Sequence, residues 1–392
     1  MSFPTQAVIL CGGLGTRLRP FTNSLPKPMI LCNGKPFLEY LLEQLAEQGI
    51  KRFCLLTGYL GEQIKDFFGN GSNWGWKINY SQGPVEWDTG RRIWQAKSEL
   101  DQQFLLLYSD NFVPFSLKKL LSQHKRLKNP ITLIASPKIP GNISLNEDGL
   151  VLSYHTKRKE DLPYVEIGYM FVERDQVLQK FPRPDCSFSE VLQIMSRQKQ
   201  VGAWIQKDAY HSISDPNRWK KAEFYLEPKK IILIDRDGVI NEKAAKGKYV
   251  NCWSEFYWIE QTRQKMQKLA QLGFRFIVIT NQAGIGRGVT SSNEVEIIHQ
   301  KMTQSFAEEG VEILQVYVCP HHWEVNCECR KPKPGMLLKA SKDHLFRLDK
   351  SFFIGDDPRD MQAAESAGCK GVYWKSDLDS PDWTKTVLNT IN

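Results

Sequence analysis

The chain has 392 residues, 41% hydrophobic and 24% charged, with a formal net charge of +8 and nine cysteines. Its length exceeds one ordinary core and predicts two domains, 1–226 and 227–392, while no window approaches the ~20 apolar residues of a membrane span. The modest charge, with no long Lys/Arg run interleaved with aromatics, argues against nucleic acid and for phosphorylated small molecules.

The start, MSFPTQAVILCGG, has no basic segment before its short apolar run, which predicts no secretory signal and a cytoplasmic location. Ala7 to Leu10 reads as a strand that breaks into Gly12, Gly13 and Gly15, leaving backbone N–H groups free to approach phosphate. Arg17, Arg19 and Lys27 add positive charge there. Helical spacing over 37–48 stops at Gly49, and strand and helix then alternate: strand 52–56, helix 62–68, strand 77–81, helix 89–100, strand 104–108. That rhythm predicts βαβ units and a parallel sheet, with Asp110 at a strand end as either a carboxylate ligand or a turn cap.

Glu227-Pro228-Lys229-Lys230 marks a short boundary before the run IILIDRDGVIN, residues 231–241. Four apolar residues lead into Asp235 and Asp237, so two carboxylates emerge on one side at a strand's carboxyl end, where open α/β sheets place their chemistry. Acids this close need a cation or a shared proton. The loop through Asn251, with Lys243, Lys246 and Lys248, reads as a solvated surface loop. A helix over 254–272 follows, then a strand over 274–279 that ends in Thr280-Asn281 and QAGIGRG, whose glycines around Arg287 suggest a backbone wrapped on an anion. A helix over 292–309 precedes strand 313–318, ending at Cys319, and strand 351–354 ends in Gly355-Asp356-Asp357.

Four strand ends thus deliver polar groups to one sheet edge. The chemistry this allows has Asp235 as nucleophile on phosphorus and Asp237 as general acid, then base. Mg²⁺ would lie on Asp235, Asp356 and a backbone carbonyl near Asp237. Thr280 and Asn281 would donate to the phosphoryl oxygens, and Lys331 would offset charge, with Arg330 and Lys333 as competitors. Arg287 and Arg330 are expected to hold the rest of the substrate. Cys319, Cys327 and Cys329 with one imidazole form the donor set that tetrahedral Zn²⁺ prefers, and spacing alone leaves His321 and His322 open.

Two families are resembled. GGLGTRLRP, PKPM and GKPFLEYLLEQL make residues 5–226 similar to the sugar-1-phosphate nucleotidyltransferases, the heptose-1-phosphate guanylyltransferases in particular. That resemblance implies a Rossmann-like fold, nucleotide binding by Gly12, Gly13, Arg17 and Lys27, Mg²⁺ on Asp110, and a sugar-phosphate contact from Lys157. Two departures stand out: Arg91 replaces a glycine, and Ser212 stands where the family has its second metal carboxylate, with His211 and Asp215 as nearby substitutes. DRDGVIN, TNQAGIGRG, CRKPKPGM and GDD resemble the haloacid dehalogenase superfamily, and within it the heptose-1,7-bisphosphate 7-phosphatases, with histidinol-phosphatase a near relative. Their CxH…CxC loop favours His321 as the imidazole ligand. The joint expectation is a bifunctional α/β enzyme of heptose-nucleotide synthesis that uses sugar phosphate and nucleoside triphosphate. The alternatives are a front domain that only binds, or a phosphatase for another substrate such as histidinol phosphate.

Overall fold

The structure is a computed structural model describing residues 4–245, 247–375 and 382–391, so Lys246 lies outside the described residues. It divides into two compact units, Met1–Glu227 and Pro228–Asn392.

The front unit is built on a nine-stranded mixed sheet. The strands Gln6–Cys11, Arg52–Thr57 and Gln103–Tyr108 are largely apolar and buried, and with the more exposed edge strand Lys77–Gln82 they pair in parallel. Such two-faced burial suits parallel strands with helices on both sides. Apolar clusters lie on each face, one around Phe37, Leu41 and Phe53, the other around Val8, Leu106 and Phe188. The fully parallel sheet expected from the alternation holds only for this half. Tyr164–Glu173 runs antiparallel to Gln103–Tyr108 and to Ile131–Pro137, and Val151–Lys159 runs antiparallel to Gly141–Leu145. Short connections over 138–163 produce this, since hairpins reverse the chain where helices would preserve its direction. The helix expected over 89–100 is shorter, Thr89–Gln95, capped by the Asp88 carboxylate.

The rear unit has five parallel strands in the order Ile313–Cys319, Arg275–Asn281, Ile231–Ile234, Phe352–Gly355, Lys370–Tyr373. Ile231–Ile234 is central and buried throughout, which is why its sequence shows no alternation. The helix expected from 254 begins only at Glu260 and ends at Ala270, because Trp253–Glu255 forms a separate turn whose Trp253 stacks on Phe256. Both units are α/β and Rossmann-like. Among the described residues no helix is long and apolar enough to cross a membrane.

Candidate active site and metal centre

Parallel pairing puts the ends of Ile231–Ile234 and Phe352–Gly355 side by side, and the next residues carry the acids. Carboxylate oxygens of Asp235, Asp356 and Asp360 lie within 4.8 Å of one another. Lys331 Nζ sits 2.8 Å from both Asp235 Oδ1 and Asp360 Oδ1 and donates to the carbonyl of Ile279 at 2.9 Å. Burial works against its charge, yet the two carboxylates outweigh it and hold the Lys331 pKa above its ordinary value. Burial pushes the Asp235 carboxyl up to about 7, with Lys331 pulling the other way. Asp360 was not anticipated. In sequence it reads as the second acid of a helix capping box with Asp357, which it also forms, accepting the Asp357 N–H on Oδ2 at 3.1 Å.

Asp237 is held differently. Arg236, fully buried, donates to both of its carboxylate oxygens at 2.8 and 3.0 Å. Asn241 and Gln282 add bonds at 3.1 and 2.7 Å. Against the cost of burial, Arg236 keeps this carboxyl below the ordinary range. Gln282 also donates to Thr280 Oγ at 2.8 Å. Asn281 is occupied by the main chain of Lys331, donating to its carbonyl and accepting its N–H, both at 3.1 Å. Of the three basic candidates near the acids, Lys333 is tied to Glu328 at 3.1 Å and Arg330 reaches the His321 carbonyl at 3.5 Å. Lys331 alone of the three enters the acid cluster.

Two of the glycines in QAGIGRG have packing reasons. A Cβ on Gly286 would come within 2.6 Å of the His322 nitrogen, and one on Gly284 within 3.0 Å of the Tyr249 ring. Residues Ala283–Gly286 form a helical turn rather than a loop wrapped on an anion. The Arg287 guanidinium lies 5.8 Å from the ring of Tyr249 and 5.3 Å from that of Trp323.

Cys319, His321, Cys327 and Cys329 converge, with Cys319 Sγ–Cys327 Sγ 3.6 Å, Cys327 Sγ–Cys329 Sγ 3.4 Å and His321 Nδ1–Cys329 Sγ 3.2 Å. These are close to the ~3.7 Å edges of a tetrahedron with ~2.3 Å metal–sulfur bonds. His322 is turned away, its Nδ1 accepting the Glu324 N–H at 3.3 Å. The donor set and geometry fit one tetrahedral ion. The acid cluster also fits a cation: Asp356 Oδ1 is buried without a hydrogen-bond partner.

In the front unit Lys27 Nζ lies 2.6 Å from Asp110 Oδ2. Ser212 pairs with Asn111, and the Ile213 N–H donates to the Asp110 carbonyl, so Ser212 does lie beside the Asp110 strand end. Neither substitute takes its place: His211 stacks on Tyr225 with ring centres 3.7 Å apart, and Asp215 caps the helix Pro216–Leu226. Instead Glu166, which sequence reading passed over, is a buried carboxyl near enough to Asp110 to respond to its charge. Burial and then the Asp110 charge raise its carboxyl to about 7, although the Gly168 N–H donates to it. Arg17 and Lys157 are exposed. The bulk beside the glycine loop comes from Arg92, not Arg91. A Cβ on Gly12 would lie 2.3 Å from Arg92 Cζ, and Arg92 donates to the carbonyls of Thr57 and Pro84 at 2.6 and 2.7 Å. Arg91 lies outside, 5.2 Å from the Trp87 ring.

A carboxylate-and-lysine cluster at the mouth of a five-stranded parallel sheet defines a haloacid dehalogenase-like phosphatase unit, joined here to a nucleotidyltransferase unit. Residues 6–219 match the nucleotidyl transferase family and residues 230–379 the polynucleotide kinase 3 phosphatase family. The D-glycero-beta-D-manno-heptose-1,7-bisphosphate 7-phosphatase of Pasteurella multocida is 38% identical over 150 residues, covering 37% of this chain and 80% of that protein. The histidine biosynthesis bifunctional protein HisB of Campylobacter jejuni subsp. doylei is 33% identical over 145 residues, covering 37% of this chain but 41% of that protein. The crystal structure of HddC from Yersinia pseudotuberculosis aligns at 24% identity over 56% of this chain and 98% of that one, with a TM-score of 0.49. The chain therefore belongs to the nucleotidyl transferase family through its front unit and to the family of the heptose-bisphosphate phosphatases through its rear unit. It is an enzyme of two units.

Proposed function

We propose that the rear unit removes the 7-phosphate from D-glycero-D-manno-heptose 1,7-bisphosphate and that the front unit couples the resulting heptose 1-phosphate to a nucleotide, GMP from GTP, releasing pyrophosphate. The observation that carries the first step is Lys331 between Asp235 and Asp360, at 2.8 Å from each. One ammonium neutralises the nucleophile's surroundings without taking the nucleophile itself out of reach. Asp235 attacks phosphorus, the P–O bond to the sugar breaks and the sugar oxygen takes the proton of Asp237 in its protonated form; an aspartyl-phosphate remains and is hydrolysed by water. Asp237, kept ionised by Arg236, takes the proton of that water. The same clamp opposes the protonated form that would serve the leaving oxygen, so the base half of the role has the stronger support.

Asp235, Asp356 and the Asp237 main chain are the proposed Mg²⁺ ligands; the ion supplies charge neutralisation between carboxylate and phosphate when bound. Asp360 is the less suited third acid, because its two oxygens are taken by Lys331 and the Asp357 N–H. Thr280 lies at the same strand end, and Arg287 and Arg330 are proposed to hold the distal part of the substrate. Cys319, His321, Cys327 and Cys329 would hold Zn²⁺ as a structural ion, because four protein ligands leave no position open for water. In the front unit Gly12, Gly13, Arg17 and Lys27 are proposed to bind the nucleotide, Asp110 Mg²⁺ and Lys157 the sugar phosphate. A cytoplasmic setting suits phosphorylated substrates and nine cysteines without a disulfide.

A second reading keeps the phosphatase and makes the front unit a binding module, favoured by the serine at 212 and the arginine packed beside Gly12. The test has two arms. Phosphate release is measured from both anomers of the heptose bisphosphate and from histidinol phosphate, on the wild type and on Asp235→Asn. Pyrophosphate release is measured with heptose 1-phosphate and GTP, CTP, UTP or ATP. Preference for histidinol phosphate would overturn the heptose assignment. No turnover with any nucleotide would leave the second reading standing.

A further inference from the structure

Lys243 does not behave as the solvated surface residue its loop suggests. Its Nζ lies 2.6 Å from Asp356 Oδ2, while its side chain remains 47% exposed. It approaches from the solvent side, whereas Lys331, 3% exposed, enters the same cluster from within. The stem is held close: a Cβ on Gly238, whose φ is +90°, would meet Lys243 Cε at 2.6 Å and Asp356 Oδ2 at 2.3 Å. Glycine is thus required at 238 for the lysine to lie across it. Burial works against the Lys243 charge, but Asp356 and then Asp235 and Asp357 outweigh it.

We infer that Lys243 is a displaceable internal cation that competes with the divalent ion for Asp356. This rests on the proposed Mg²⁺ site. A lysine and a divalent ion on one carboxylate repel each other, and the lysine is the partner able to leave. Its stem is half exposed, and the described residues around it, 242–245, lie in no helix or strand that would fix it. Lys331 has no such freedom, being buried and bonded on three sides. The two lysines therefore divide the work. Lys331 is a permanent counter-charge, and Lys243 sets how much ion is needed before Asp356 is released to it.

The experiment titrates the full chain, zinc retained and substrate absent, with Mn²⁺ followed by electron paramagnetic resonance. The binding step that Asp356→Asn abolishes is assigned to the rear site, separating it from any ion on Asp110. Lys243→Met should tighten that step by about tenfold, the scale of losing one neighbouring positive charge in a partly screened site. Lys243→Arg should stay within about twofold of the wild type, since it keeps the charge. Lys243→Gln gives the same readout as Met should the Met variant fail to fold. Unchanged or weaker Mn²⁺ binding in Met and Gln would overturn the inference. If Asp356→Asn removes no binding step at all, the metal assignment itself fails, which is a different result.

Discussion

Arg236 donates one guanidinium N–H to Nε2 of His299 at 2.9 Å and turns its other face to Asp237. This fixes the tautomer, because an Nε2 that accepts leaves the proton on Nδ1. Burial, then the Arg236 charge, lower the His299 pKa from 6.5 to about 3. A group depressed on folding binds fewer protons in the native state, so its contribution is complete above the unfolded value and lost as pH falls below it. Rear-unit stability should fall by about 1.4 kcal/mol per pH unit from this site between roughly pH 6 and 3. Urea unfolding of His299→Gln across that range should show a slope shallower by about one proton.

The Asn281 side chain closes a two-bond ring with the main chain of Lys331 at 3.1 Å on each side. Asn281→Ala should leave Lys331 charged but loosely aimed. We expect phosphate release to fall in kcat by about 10- to 100-fold, the cost of a misplaced charge near the reacting group. Substrate KM should change little. A KM rise with kcat unchanged would mean that Asn281 touches substrate rather than Lys331.

If the Cys/His cluster holds the proposed zinc, its removal should act on the same lysine, since that loop runs straight into Arg330 and Lys331. Hydrogen bonds from Cys329 and Arg330 overcome burial and bring the Cys327 thiol down to about 7, favouring a thiolate ligand. Cys329→Ser should lower zinc content, measured by atomic absorption, and phosphate release together by at least about tenfold. A variant that loses zinc and keeps full activity would separate the loop from catalysis.

The rear site was legible because its chemistry sits at strand ends. An apolar run stopping at Asp235, Thr280, Cys319 or Gly355-Asp356 announces both the sheet and its working edge. What stayed hidden depends on loops and on contacts distant in sequence. Lys243 reads as one lysine among several and Asp360 as a helix cap, and the bonds of the Asn281 amide to the Lys331 main chain leave no local trace in the sequence. Arg92 beside Gly12 went unseen for a related reason. Neighbouring helix residues point about 100° apart, and a helix of seven residues gives too little periodicity to tell the inward one. The antiparallel half of the front sheet was missed because an apolar run does not encode strand direction: Tyr164–Glu173 and Ile131–Pro137 are as buried as the parallel strands, and Val151–Lys159 is largely exposed.

Glu166 beside Asp110 gives the front unit a second carboxylate where Ser212 supplies none. Its pKa is raised from 4.5 to about 7 by burial and by Asp110. A carboxyl raised on folding contributes fully below its unfolded value and loses that contribution as pH rises through the folded one. Between pH 4.5 and 7 the wild type should therefore lose stability that Glu166→Gln retains. Glutamine keeps an acceptor for the Gly168 N–H and adds no charge. With divalent ions chelated, Glu166→Gln should be more stable than wild type by about 3 kcal/mol at pH 8 and equal to it near pH 4.5. Adding Mg²⁺ at pH 8 should narrow the gap if Glu166 and Asp110 share the ion, because the wild type alone gains a partner for its second charge. A gap that persists unchanged at all Mg²⁺ concentrations would assign Glu166 to the fold and leave Asp110 as a single-carboxylate site, strengthening the binding-module reading of the front unit.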